Sequence, residues 1–189
     1  MSSFESRLSV ESVVLVAVLV AIASIGRIAF TSIPSVQLAS FIIIISGIFF
    51  GKKIGLVTGL LVPVVTDMMG LGLGPWTIFQ MIGWGLIGLS AGVLAQLLNK
   101  SDIMGYLSRG VFGFLWGFIF GWINDISMIF FMSVPNLNTF IGLFAASFTF
   151  DLIHAVTNLL ALTLLFEVFK RIFLRVKENY LSDSTEAYE

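Results

Sequence analysis

Apolar residues run along this chain in long, nearly continuous stretches, broken by short clusters of Gly, Pro, Ser, Asn and Lys. Such runs predict membrane-spanning helices, because a helix bonds its own backbone and needs about 20 apolar residues to cross. Six segments emerge: Leu8 to Phe30, Val36 to Phe50, Ile54 to Met69, Trp76 to Leu98, Leu107 to Met132, and Thr139 to Leu165. The sixth continues as a charged helical extension to Tyr180. The breaks carry turn chemistry: Thr31 to Ser35 around Pro34, Gly51-Lys52-Lys53, Gly70 to Pro75, Asn99 to Asp102, and Ser133 to Asn136 around Pro135. The second and third segments are short, so they are expected to tilt or to end in irregular backbone buried in protein.

Composition supports this reading. Hydrophobic residues make up 58% of the chain and charged residues 11%, against about half and about a quarter in soluble domains. Six spans use up nearly all 189 residues. The expectation is an all-α integral membrane protein, with one six-helix domain over residues 1–180 and an acidic, disordered tail over 181–189. An ATPase or nucleic-acid module would have to be another polypeptide, and no Gly-x-x-x-x-Gly-Lys-Ser/Thr run occurs. The chain has no cysteine, which excludes thiolate metal sites and thiol nucleophiles. No cofactor, metal or nucleic-acid partner is expected. Val13 to Val20 followed by Ala21-Ile22-Ala23 has the outline of a signal peptide. Glu5 and Glu11 offset Arg7, however, and the apolar run continues, so retention as a membrane helix is expected.

Charge placement adds orientation. With six spans, Arg7, Lys52, Lys53, Lys100, Arg109, Lys170, Arg171, Arg175 and Lys177 share one side, and Arg27 alone of the ten basic residues falls toward the other. The positive-inside rule then puts both termini in the cytoplasm.

Small residues recur four apart, at Gly47/Gly51, Gly55/Gly59, Gly88/Gly92 and Gly113/Gly117/Gly121. They are read as ordinary packing positions within the bundle. Ala17 and Ala21 form a similar smooth face on the first helix, suited either to internal packing or to docking of a partner helix.

Charges inside a bilayer are expensive and mark function. A rise of about 1.5 Å per residue puts Arg27, Asp67, Asn124 and Asp125 toward the outer ends of their helices. Asp151 and His154 fall near mid-membrane and Asn158 deeper, with the three sharing a helix face. Gln37 starts the second helix, and Trp76, Thr77, Gln80 and Trp84 start the fourth. Two readings remain open at this point: an outward-facing, water-accessible cavity, or internal ion pairs such as Arg27 with Asp67 or Asp125. Glycines at 70, 72 and 74 before Pro75-Trp76-Thr77 suit a sharp turn or close approach to a ligand.

These features resemble a known family, the substrate-binding S components of bacterial energy-coupling factor (ECF) vitamin transporters. The resemblance covers residues 9 to 175. It rests on the size, the six helices, Ala17-x-x-x-Ala21, Ser46-Gly47-Ile48-Phe49-Phe50-Gly51-Lys52, and above all the run from Gly74-Pro75-Trp76-Thr77 through Gln80-Met81 and Trp84-Gly85 to Gly88. That last run resembles S components for cobalamin and related micronutrients. The resemblance implies a non-enzymatic subunit that captures a vitamin, cobalamin first among the choices, at the outer face. It implies a pocket closed by the loop from Ile33 to Val36. It further implies docking through Ala17 and Ala21 on a transmembrane coupling protein driven by two ATPases. Arg27, Gln37, Asp67, Trp76, Thr77, Gln80, Trp84, Asn124, Asp125, Asp151, His154 and Asn158 are the candidate substrate-binding residues. Two rivals are an intramembrane aspartate enzyme using Asp125 and Asp151 and a stand-alone proton-coupled carrier with an Asp–His relay.

Overall fold

The structure, a computed structural model, describes residues 10–131 and 136–181. Arg7, the Ser133–Pro135 break and residues 182–189 of the expected tail lie outside the described residues. In chain order the helices are α1 (Val10–Ile28), α2 (Ala39–Phe50), α3 (Lys52–Thr66), α4 (Pro75–Val93), α5 (Ala95–Leu98), α6 (Ile103–Ser127), α7 (Leu137–Leu164) and α8 (Phe166–Leu181). A π-helical turn, Asp67–Leu71, extends α3, and a 3₁₀ turn, Met128–Phe131, follows α6.

Local chemistry sets the boundaries. Gly51, at φ 92°, lets α3 begin at once after α2. It therefore serves as a turn and not, as the four-residue spacing suggested, as a packing position. Asp102 starts α6 earlier than hydropathy alone indicates, because its carboxylate accepts from the Gly105 N–H at 2.8 Å. Asn136 and Thr139 cap α7 reciprocally: the Thr139 N–H donates to the Asn136 side chain at 3.0 Å, and the Asn136 N–H to Thr139 Oγ1 at 3.2 Å. Two expected continuous helices are broken. The fourth segment ends at Val93, and the chain turns at Leu94 so that α5 can bury Leu98. The sixth turns at Leu165, which lets α8 lay Phe166, Phe169 and Phe173 against Phe41, Phe49 and Phe50 of α2.

Five helices are long and apolar enough to cross a membrane: Val10–Ile28, Lys52–Leu71, Pro75–Val93, Ile103–Ser127 and Leu137–Leu164. The exception among the expected spans is α2, whose 12 residues reach only about 18 Å. It is apolar all round, Ala39 through Phe49 are buried, and it forms the centre of the bundle, as an all-apolar helix must. Outward faces of the long helices still carry exposed Val14, Val18, Ile25, Leu115, Ile141 and Leu160, a surface suited to lipid.

Glycine seams let the helices close on one another. A Cβ on Gly88 would strike the Gly55 backbone, and one on Gly59 the Trp84 backbone, so α3 and α4 touch main chain to main chain. On α6, Gly113, Gly117 and Gly121 face Leu162 and Asn158, Ala155, and Asp151 of α7 in turn.

The bundle has two chemically different ends. Arg27, Asp67, Thr77, Asp125 and Ser147 gather at the end bearing the α1–α2, α3–α4 and α6–α7 connections. At the opposite end Arg109 is buried. It donates to the Leu98 and Lys100 carbonyls at 2.9 and 2.7 Å, pairs with Glu167 at 3.6 Å, and lies 3.9 Å over the Phe166 ring. It thereby satisfies the carbonyls left open at the end of α5 and pins α5, α6 and α8 together.

Candidate ligand site

Arg27 occupies the last turn of α1, where a cation complements the helix dipole. Its Nη1 donates to Thr66 Oγ1 and, at 3.1 Å, to Asp67 Oδ1, and its Nη2 donates to Gln80 Oε1 at 2.9 Å. Thr77 Oγ1 donates to the other Asp67 oxygen at 2.6 Å. The guanidinium also stands 4.8 Å from the Trp84 ring centroid, within cation–π range. The Asp67 side chain is 1% exposed. One cation and one anion are thus matched, and both carboxylate oxygens have donors. Four of the expected residues, Arg27, Asp67, Thr77 and Gln80, belong to this cluster, with Trp84 as its inner wall.

Trp84 joins the cluster to α7. Its Nε1–H donates to Ser40 Oγ at 2.9 Å, and Ser40 Oγ lies 2.9 Å from His154 Nε2. Indole N–H only donates, so Ser40 accepts from Trp84 and its oxygen bridges the indole to the imidazole. Phe120 stacks on Trp84 at 4.8 Å between centroids and meets the His154 ring edge-on at 5.2 Å.

Beyond Phe120 lies a cavity of about 240 Å³. Ser35 and Gln37 of the α1–α2 connection line one side. Phe120, Gly121, Asn124 and Asp125 line it from α6, and Ser147, Phe150, Asp151 and His154 from α7. Ser147 Oγ is 2.6 Å from Asp125 Oδ2 and 3.1 Å from Asp151 Oδ2. Gly121 makes room for the Asp151 carboxylate, which would have to shift if a Cβ were added there.

Of the twelve expected binding residues, Gln37, Asn124, Asp125, Asp151 and His154 therefore meet around one cavity. The other seven do not line it. Trp76 is outside, stacked on Phe131 at 5.9 Å with its Nε1–H donated to the Gly72 carbonyl at 3.0 Å. Asn158 is fully buried one turn beyond His154, with Nδ2 donating to the Gly113 carbonyl at 3.3 Å. An internal ion pair joins Arg27 and Asp67, and a separate cavity lies beside Asp125 and Asp151. Sequence reasoning passed over Ser40, Thr66 and Ser147. Their one available signal was a hydroxyl inside an apolar run. For Ser147 there was also the four-residue spacing to Asp151, which puts the two on one helix face.

A half-open polar cavity within a bundle of long apolar helices marks the class as a polytopic membrane protein with room for a small solute. A family model described as ECF transporter, substrate-specific component, matches residues 11–166. The chain belongs to that family: it is a multi-pass protein of the bacterial cell membrane and a substrate-binding transporter subunit, not an enzyme. No curated protein and no solved structure matches it.

Proposed function

We propose that this chain captures a vitamin at the outer face of the membrane and delivers it by docking on a transmembrane coupling protein driven by two ATPases. The observation that carries this reading is the 240 Å³ cavity, walled by α6 and α7 and bounded by Ser35 and Gln37. Six helices span in this reading, including α2, which is encased in protein and so needs no full-length apolar exterior of its own. Lys52, Lys53, Lys100, Arg109, Lys170, Arg171, Arg175 and Lys177 belong to elements at the end opposite the cavity. The positive-inside rule turns that end, with both termini, to the cytoplasm.

Docking has a surface. Ala17 and Ala21 are exposed and line an apolar groove of about 440 Å³ between α1 and α3, together with Val57 and Leu61. A groove floored by alanine admits a partner helix backbone closely.

The cavity also bears on the choice of vitamin. Pockets for drug-sized ligands measure about 300–1,000 Å³, so 240 Å³ suits a vitamin of one or two rings. The volume favours a cargo smaller than a corrinoid.

Uptake of radiolabelled thiamin, pyridoxamine, riboflavin, pantothenate and cobalamin tests the reading, in cells with and without the coupling protein and its ATPases. One of these is expected to accumulate when the partners are present, and Ala17→Trp or Ala21→Trp should abolish uptake while leaving binding intact. Accumulation without the ATPases would overturn the reading in favour of an autonomous carrier.

A further inference from the structure

The cavity's charge points to the class of cargo. This inference rests on the capture role proposed above and narrows it. Asp125 and Asp151 are 9% and 6% exposed. The hydrogen bond each accepts among the described residues comes from the same donor, Ser147 Oγ. A serine hydroxyl has one proton, and the Phe144 carbonyl at 3.3 Å is a third acceptor for it. Two buried carboxylates therefore compete for a single donor. Each has a second oxygen with no hydrogen bond from a described residue.

The surroundings add acceptors and no cation. Asn124 gives its amide N–H to the Phe120 carbonyl at 2.8 Å, which leaves its Oδ1 buried without a donor. Asp125 stands in the last turn of α6, where the helix end itself is partially negative. His154 Nε2 meets Ser40 Oγ at 2.9 Å and neither carboxylate. No Lys or Arg lines the cavity, and Met132 to Pro135 carry no charged side chain. Arg27 is held by Asp67, Thr66 and Gln80. A proton shared between the two aspartates still leaves one negative charge.

A carboxylate pair sharing one donor is stabilised by an arriving counter-charge, and the exposed Phe150 ring lines the same cavity. We infer that the cargo is a cationic, N–H-rich heteroaromatic molecule, with a protonated amine or charged ring nitrogen against Asp125 and Asp151 and its ring beside Phe150. An anionic vitamin would meet carboxylates where it needs donors.

The test uses the full chain purified in detergent from cells grown in rich medium. Any retained small molecule is identified by mass spectrometry. Binding of thiamin and pyridoxamine as cations, riboflavin as a neutral ring, and pantothenate, biotin and nicotinate as anions is then measured by calorimetry. The expected result is a cationic ligand whose affinity falls at least tenfold in Asp125→Asn and Asp151→Asn. The charge of the ligand bound to the unmodified chain decides the matter even where a variant fails to fold. A neutral or anionic ligand, or affinity unchanged by both substitutions, overturns the cargo class and leaves the capture role standing. No retained molecule and no binding from the set overturns the capture role itself, and this inference with it.

Discussion

Two carboxylate sites share one end of this bundle and are built oppositely. Around Asp67 every oxygen has a donor and the charge has a partner: Arg27 at 3.1 Å and Thr77 at 2.6 Å. Around Asp125 and Asp151, two carboxylates divide one serine proton and border a 240 Å³ space. Buried charges in a membrane protein are thus of two kinds. A compensated pair closes a structure, as at Asp67. The pair at Asp125 and Asp151 instead borders a cavity, where the proposed cargo would supply the missing partner.

The sharpest way to break this contrast is to unpair the closed site. Arg27→Met strands Asp67, and removing one member of a buried pair costs about 3–5 kcal/mol. A fall in the unfolding midpoint in detergent, largely restored by adding Asp67→Asn, is the expected result. Gly88→Ala, which drives a methyl into the Gly55 backbone, should cost about 1–3 kcal/mol by the same measurement. It serves as a packing control that leaves both charge sites untouched. Trp84→Phe keeps the ring stacked on Phe120 and deletes the donor to Ser40. Its expected cost is about 0.5–1.5 kcal/mol. Asp151→Asn should have the smallest effect: the ligand-free protein should unfold at the same temperature or slightly higher, because a charge without a counter-ion has been removed. A loss for Asp151→Asn as large as that for Arg27→Met would show that both sites are structural and erase the distinction.

The helical architecture was legible because bilayer-scale apolar runs leave little choice of secondary structure. The glycine spacings read as packing positions became real seams at Gly55/Gly59, Gly88 and Gly113/Gly117/Gly121. Helix ends were less legible. Leu94 and Leu165 carry no breaker chemistry, and the chain turns there because α5 and α8 gain buried contacts with other helices.

The candidate site was legible as a set of expensive residues and not as a partition. Spacing placed Asp151, His154 and Asn158 on one face of α7, yet His154 bonds Ser40 and Asn158 bonds the Gly113 carbonyl. Which polar groups meet depends on contacts between helices far apart in sequence, and no periodicity encodes those. Trp76, in the run most suggestive of a ligand, instead stacks on Phe131 outside the cavity.

By itself the sequence determined that this chain lives in a membrane as a bundle of apolar helices, because hydrophobicity and backbone satisfaction are local properties. The tertiary structure alone decided that Arg27 belongs to Asp67 while Asp125 and Asp151 are left facing a void. Charge compensation is a matter of distances between different helices, and those exist only once the bundle has closed.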